Sequence, residues 1–278
     1  MRLALLGAGI SRSSMPRLQH HLGSLVGVEI DYGLIDGENY GEADPCALVR
    51  QSIEQGYHGL NVTHPYKQKV HNLVREPAIA GHDRIGSYNT LKFTDRGILG
   101  ANTDYSGFIR GYRFRRGEQL PGHVVMCGAG GVGSAIAFGL LELGCEHLSI
   151  YDLQPSQADA LASKLRQFGG SAEVLEQSRF PDVARSAHGL VNCTALGMHS
   201  YPGNAFPFSV IGSQQWAFDA VYTPLKTEFL MQCQQAGLQC LSGFDLWIFQ
   251  GLDAFSVFTG VDIEADETLI ETALSWLD

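Results

Sequence analysis

Short apolar runs alternate with amphipathic stretches along the whole chain, and the two periodicities predict its elements. Leu3–Leu6 reads as a strand, and Met15–Leu25 reads as a helix with Pro16 in its first turn, where a missing N–H costs nothing. Glu29–Leu34 is a predicted strand, Pro45–Gln55 a helix ending at Gly56, and Gly59–Val62 a short strand. Lys67–Val74 looks helical, while Tyr88–Phe93 and Ile98–Ala101 form a predicted hairpin turning at Asp95-Arg96-Gly97. A helix over Asp104–Arg113 then leads to the strand Val124–Cys127. β–α units continue through Leu148–Tyr151, Ser171–Leu175, Gly189–Cys193 and Ala217–Ala220. Helices over Thr227–Ala236, Phe244–Thr259 and Asp266–Trp276 close the chain. Strands alternating with helices, without internal repeat or low-complexity segment, predict α/β doubly wound architecture.

One junction in this pattern carries chemistry. Val124–Cys127 runs into Gly128-Ala129-Gly130-Gly131-Val132-Gly133, a helix-like run follows from Ser134 to Leu143, and the next strand ends on Asp152. In a strand–turn–helix unit the first glycine of Gly-x-Gly-x-x-Gly makes the tight turn. The second lets a pyrophosphate approach the backbone, and the third lets helix and strand pack closely. Asp152 lies 19 residues beyond Gly133, where a carboxylate accepts hydrogen bonds from adenosine ribose hydroxyls. Gly128, Ala129, Gly130, Gly131, Val132, Gly133 and Asp152 are therefore candidate dinucleotide ligands. The plain alternative is a glycine-rich turn that only packs a helix on a sheet. The carboxylate also selects the cofactor: it would repel the 2′-phosphate of NADP, and Tyr151–Ser156 contains no Arg or Lys to receive one. NAD is the expected cofactor.

Length and composition suit a two-domain enzyme. At 278 residues the chain exceeds one typical domain, and 45% of its residues are hydrophobic. No apolar run approaches the ~20 residues needed to span a bilayer, and the N-terminal run reads better as a strand than as a secretory signal. Six cysteines (46, 127, 145, 193, 233 and 240) are scattered without a CxxC pair. Free thiols in a reducing, cytoplasmic setting are expected, and the histidines show no zinc-ligand spacing. A net charge of −10 argues against nucleic acid or an anionic membrane as partner. In so acidic a chain, cations near a dinucleotide or an anionic substrate must be concentrated locally, which singles out Arg12, Lys67 and Lys226.

The first loop, Gly7-Ala8-Gly9-Ile10-Ser11-Arg12, also follows a strand and imitates a phosphate loop. It lacks a third glycine, and no acidic strand end is expected at the right interval, so it reads as a substrate loop. For alcohol oxidation a hydride must leave carbon while a base takes the hydroxyl proton. Lys67, following Thr63-His64-Pro65, would be that base if partly desolvated, with Asp104 as the partner that positions it. By spacing alone, a surface lysine and a helix-capping aspartate are the simpler reading.

Six ordered motifs and one late stretch change that balance. Asn61-Val62-Thr63-His64-Pro65-Tyr66-Lys67, Tyr88-Asn89-Thr90, and Gly100–Phe108 with its Asn102-Thr103-Asp104 come first. The Gly128–Gly133 loop, Asn192–Met198 and Val221-Tyr222-Thr223-Pro224 follow, with a late Gly243…Gln250 stretch ending Phe258-Thr259-Gly260. Over almost its whole length the chain resembles the shikimate dehydrogenase family, and Asp152 makes it similar to the NAD-using quinate/shikimate branch. The resemblance implies a Rossmann-type doubly wound NAD-binding domain over 103–243. It implies an α/β substrate-binding domain over 1–102, with helices from 244–278 packing back on it. It further implies Lys67 and Asp104 as catalytic residues. Thr63, Asn89 and Gln250 would bind ring hydroxyls, and Ser13 and Tyr222 would approach the substrate carboxylate. Thr194, Met198, Val221 and Gly243 would meet the nicotinamide and its ribose.

One departure bears on the substrate. Where the family offers a second hydroxyl before the first-loop proline, this chain has Met15, a weak acceptor and no donor. Arg12 would compensate with a charged hydrogen bond. Ser87 and Tyr88 also replace the family's usual alanine and valine. An apolar Met15 would favour shikimate over quinate, whose extra hydroxyl would be left unpaired. The expected activity is the NAD-linked interconversion of shikimate and 3-dehydroshikimate by a monomer or homodimer. Quinate or amino-shikimate is the alternative substrate, and a non-catalytic NAD-binding regulator is the alternative of another class.

Overall fold

The computed structural model describes residues 1–41 and 44–277, so position 278 of the expected C-terminal segment lies outside the described residues. The chain divides into two compact units, Met1–Ser106 with Ile248–Leu277, and Gly107–Trp247. The divisions fall inside two continuous helices, not at 102/103 and 243/244 where the motifs suggested them.

The first unit contains β1 (Arg2–Gly7), α1 (Met15–Val26), β2 (Asp31–Asp36), α2 (Pro45–Glu54) and β3 (Gly59–Val62). After them come β4 (Val74–Pro77), β5 (Thr90–Thr94), β6 (Gly97–Ala101) and the start of α3 (Thr103–Arg116). Its sheet runs β2-β1-β3-β5-β6-β4, with β1, β2 and β3 parallel and β5 antiparallel to both β3 and β6. Ala4, Leu6, Leu60, Val62 and Leu91 pack against Leu48 and Val49 of α2. Two expectations shift. β2 runs on to Asp36 because each residue from 31 to 36 pairs with β1. Lys67–Val74 is not a helix: turns lead to a single 3₁₀ turn, His71–Leu73. Val74 then leaves to pair with Ile98 of β6, so a long-range ladder overrides a weak local pattern.

The second unit continues α3 into β7 (His123–Cys127), α4 (Gly131–Glu142), β8 (His147–Tyr151), α5 (Pro155–Gln167) and β9 (Ala172–Val174). α6 (Phe180–Ser186), β10 (Gly189–Asn192), β11 (Trp216–Asp219), α7 (Glu228–Gln235), β12 (Gln239–Leu241) and the start of α8 (Gly243–Thr259) complete it. α9 (Glu267–Leu274) belongs to the first unit. The sheet order β12-β11-β10-β7-β8-β9 is parallel throughout. In chain order that is 3-2-1-4-5-6 read from the other side, the doubly wound Rossmann arrangement whose switch point lies between β7 and β10. Val125, Leu190, Ala217, Phe206 and Phe229 fill one face of this sheet. Among the described residues no helix is long and apolar enough to cross a membrane, and all six cysteines are free.

Candidate active site

The mixed sheet of the first unit explains why distant residues meet. Because β5 runs antiparallel to both its neighbours, its first residue lies beside the last residues of β3 and β6. Thr63, Asn89 and the Asn102–Asp104 turn are therefore brought to one sheet edge from three separate strands. Lys67 reaches back to that edge, and its Nζ lies 2.5 Å from Asp104 Oδ2 with both side chains largely buried. Asp104 is free for this contact because Asn102 caps α3 instead, its Oδ1 accepting from Tyr105 N at 3.2 Å. Enclosure strengthens the pair, since charges out of water interact through a lower effective dielectric.

Asn89 is held beside it. Its Oδ1 accepts from Thr103 N at 2.7 Å and from the Thr90 and Thr103 hydroxyls at 3.1 Å each. The carboxamide is thereby oriented with its oxygen inward, leaving the amide as the outward donor. Thr103 Oγ1 also lies 3.4 Å from Gln250 Oε1, which brings α8 to the same edge. Thr63 is half-buried, and its methyl lies so close to Gly7 that a Cβ there would come within 2.3 Å. The first loop and the Thr63 turn thus lie side by side, with Ala8 N donating to His64 O at 3.1 Å.

The first loop corrects two expectations. An acidic strand end does follow it: Asp36, at the end of β2, accepts from Gly9 N and Ile10 N at 3.0 Å each. The amides that would cradle a phosphate are filled from within, so the likeness to a phosphate loop ends with its sequence. Met15 is only 5% exposed. Its Sδ lies 3.6 Å from Gln19 Nε2, and its methyl faces Gly251 of α8. It presents almost no surface to a carboxylate, so the preference for shikimate over quinate that rested on it loses its footing. Ser13 is half-buried with its Oγ accepting from Met15 N at 3.3 Å, and Arg12 is exposed.

In the second unit the glycine loop has the geometry a dinucleotide needs. Gly128 has φ +96°, and a Cβ on it would strike the Cys193 carbonyl carbon and oxygen at 2.7 Å. A Cβ on Gly133 would lie 2.1 Å from Gly128 O, so helix and turn touch there. Gly130 and Gly131 have nothing within 4 Å of such a Cβ: the backbone is bare toward open space, at the N-terminus of α4. Ala129 N donates to Asp152 Oδ2 at 2.7 Å, while Gln154 N donates to Asp152 Oδ1 at 2.8 Å. The half-buried carboxylate is thus pinned with a lone pair on each oxygen left over for a ribose diol. Val132 is half-buried in the first turn of α4. The residues present fit a bound NAD.

The remaining cofactor candidates lie on the strand exits of the same sheet edge. Thr194 follows β10, with N and Oγ1 both donating to Asn192 Oδ1 at 3.0 and 2.7 Å. Met198 is exposed in the same loop. Val221 follows β11 and is buried, with its N–H on Asp219 Oδ1 at 3.0 Å. Gly243 packs so tightly that a Cβ would meet Ala220 O and Val221 O within 2.6 Å. Tyr222 is half-buried, and burial pushes its phenol above the ordinary value, so it stays a neutral donor. Sequence reasoning missed Asp219 and His82. Asp219 closes the apolar run Trp216-Ala217-Phe218, the same signal that exposed Asp152. Buried His82 accepts from Asn102 N at 3.1 Å, and no pattern flagged it.

With this geometry in place, comparison with known proteins is informative. Residues 5–91 match the family model described as shikimate dehydrogenase substrate binding domain. The chain is 36% identical to a quinate/shikimate dehydrogenase (NAD(+)) of Corynebacterium glutamicum, covering 98% of both. It is 34% identical to a shikimate dehydrogenase (NADP(+)) of Streptomyces avermitilis, over 98% of this chain and 94% of that one. Among solved structures it is similar to quinate dehydrogenase from C. glutamicum in complex with NAD. There the TM-score is 0.92 at 35% identity, with 99% of each chain covered. It is also similar to the shikimate 5-dehydrogenase of Thermus thermophilus in complex with NADP(H) and shikimate, at TM-score 0.85 and 28% identity over 100% and 99% of the chains.

Proposed function

The chain belongs to the shikimate dehydrogenase family, and from that premise we propose that it is an NAD-dependent dehydrogenase interconverting shikimate and 3-dehydroshikimate. Quinate is the second reading, favoured by the likeness to the quinate dehydrogenase of C. glutamicum. The observation that carries the proposal is the enclosed Lys67–Asp104 contact at 2.5 Å. It argues against a non-catalytic regulator, which would have no use for a buried lysine–carboxylate pair beside a row of hydroxyl-binding groups.

NAD, when bound, supplies the acceptor for the hydride that leaves the alcohol carbon. In the oxidative direction Lys67 acts from its neutral amine form, Nζ receiving the hydroxyl proton to become the ammonium that pairs with Asp104; in the reductive direction that ammonium gives the proton back. Asp104 holds that nitrogen through Oδ2, and its other oxygen accepts from a neighbouring ring hydroxyl. The Asn89 amide, the Thr63 hydroxyl and the Gln250 carboxamide read further hydroxyls, and Ser13 and Arg12 serve the carboxylate. A substrate lacking one of these hydroxyls leaves buried polar groups unpaired, which is how the site would discriminate. The preference for NAD over NADP rests on Asp152, whose charge opposes a 2′-phosphate.

Steady-state assay of shikimate, quinate and amino-shikimate with both cofactors tests the reading. Turnover of shikimate or quinate with NAD is expected. No turnover of any of the three acids with either cofactor would overturn it.

A further inference from the structure

One buried carboxylate in the second unit has no part in the chemistry described so far. Asp219, the last residue of β11, is 0% exposed. Its Oδ1 accepts from Asn192 Nδ2 and from Val221 N, both at 3.0 Å, and its Oδ2 accepts from Thr227 Oγ1 at 2.6 Å. Asn192 passes the connection on. Its Nδ2 also donates to Leu196 O at 3.0 Å, and its Oδ1 takes Thr194 N and Oγ1. Thr227 caps α7 through Leu230 N at 3.3 Å. The Val221 peptide in turn forms the wall against which Gly243 packs. One carboxylate therefore ties together the loop bearing Thr194 and Met198, the loop bearing Val221, and the entry to α8.

We propose that Asp219 is a positioning residue for cofactor binding, whose ionised carboxylate fixes the two strand-exit loops that receive the nicotinamide half of NAD. The inference rests on the NAD-dehydrogenase reading. Its logic is that every group facing Asp219 donates: an amide side chain, a backbone N–H and a hydroxyl. A carboxylate accepts all three. A carboxylic acid must place its own proton, and doing so displaces one of the donors. Burial pushes the Asp219 carboxyl up to about 6, against the pull of the Thr227, Val221 and Asn192 donors, so the change of form falls in a range where the protein can be assayed. The other titratable groups facing it are the thiols Cys193 and Cys233. Burial raises the Cys193 thiol and a hydrogen bond with Cys240, helped by burial, raises that of Cys233, so both stay neutral and neither competes with it below neutral pH.

ADP-ribose carries the adenosine, pyrophosphate and second ribose of NAD without the nicotinamide, and so separates loop positioning from general folding. Isothermal titration of the whole chain with NAD and with ADP-ribose gives a ratio of affinities that reports the nicotinamide half alone. In the wild type that ratio is expected to fall several-fold between about pH 7 and about pH 5, as the carboxylate is lost. Asp219→Asn keeps the shape, and its ratio is expected to be flat with pH. Asp219→Ala is expected to weaken NAD about tenfold at neutral pH, the size of one lost charged hydrogen bond, with ADP-ribose binding unchanged. A pH-dependent ratio persisting in Asp219→Asn, a flat ratio in the wild type, or equal losses for both ligands in Asp219→Ala would overturn the proposal. If the alanine variant does not fold, the wild-type and asparagine ratios decide. Failure of wild type to bind either ligand would instead remove the dinucleotide reading on which the inference stands.

Discussion

Two alanine substitutions in the glycine loop separate its packing role from its binding role. Gly133→Ala places a methyl 2.1 Å from Gly128 O, a backbone atom that cannot swing aside. Gly128 is itself fixed, with N donating to Tyr151 O at 2.8 Å and its other face against Cys193. Relieving the clash requires about 1 Å of movement in the turn, at a cost of ~1–3 kcal/mol as for other overpacked sites. At roughly 2–4 °C per kcal/mol for a domain of this size, the melting temperature should fall by several degrees. Gly130→Ala is the contrast. Its φ of −73° suits any residue, and nothing lies within 4 Å of the new Cβ. Stability should be unchanged, yet the methyl occupies the space through which a pyrophosphate reaches the loop amides. Losing one charge-assisted hydrogen bond, ~1.5–3 kcal/mol, predicts NAD affinity lower by about 10- to 100-fold. Calorimetric melting and NAD titration on the two variants provide the comparison. Wild-type NAD affinity in Gly130→Ala would refute the argument and return the loop to a turn that only packs a helix.

Three further outcomes follow from the same geometry. Lys67→Ala should lower kcat by at least ~100-fold with NAD affinity nearly unchanged, and Asp104→Asn should also lower kcat because the partner charge is gone; pre-steady-state and binding measurements distinguish this from a loss of substrate affinity alone. Asp152→Ser should narrow the NAD/NADP preference and weaken NAD, since it removes both the repulsion and the anchor for Ala129 N; a wild type equally efficient with NADP would sink the cofactor argument. Burial, helped by the Arg84 charge and opposed by Asp83, lowers the His82 pKa from 6.5 to about 4. A neutral buried imidazole stabilises the fold above the unfolded value, so stability should decline as pH falls from about 6.5 toward about 4, by on the order of 3 kcal/mol in total. His82→Asn, which retains an acceptor for Asn102 N, should flatten that slope in thermal melts, and an unchanged slope would assign it to other groups.

Features that are local in their physics were legible in the sequence. The strand–loop–helix–strand unit around Gly128–Gly133 is encoded within one stretch of chain, and so is its closing carboxylate at Asp152. The glycine spacing therefore sets the turn, the bare amides and the helix contact before any distant residue is considered. The hairpin at Asp95–Gly97 and the cap-bounded helices were legible for the same reason. The Lys67–Asp104 pair was visible only through its resemblance to a family. By spacing alone, two residues 37 positions apart gave no reason to meet. Long-range strand pairing brings them together, because an antiparallel β5 aligns the ends of three strands at one edge. Tertiary pairing likewise drew Val74 out of an expected helix into β4 and carried β2 on to Asp36, where a carboxylate silences the first glycine loop. It also enclosed Met15 and Asp219, one an apolar side chain expected at a pocket wall, the other a charge with three donors gathered round it. Burial and hydrogen-bond partnership depend on what arrives from elsewhere in the chain. A sequence can offer a carboxylate at a strand end, but only packing decides whether its lone pairs face a ligand, a loop amide or the core.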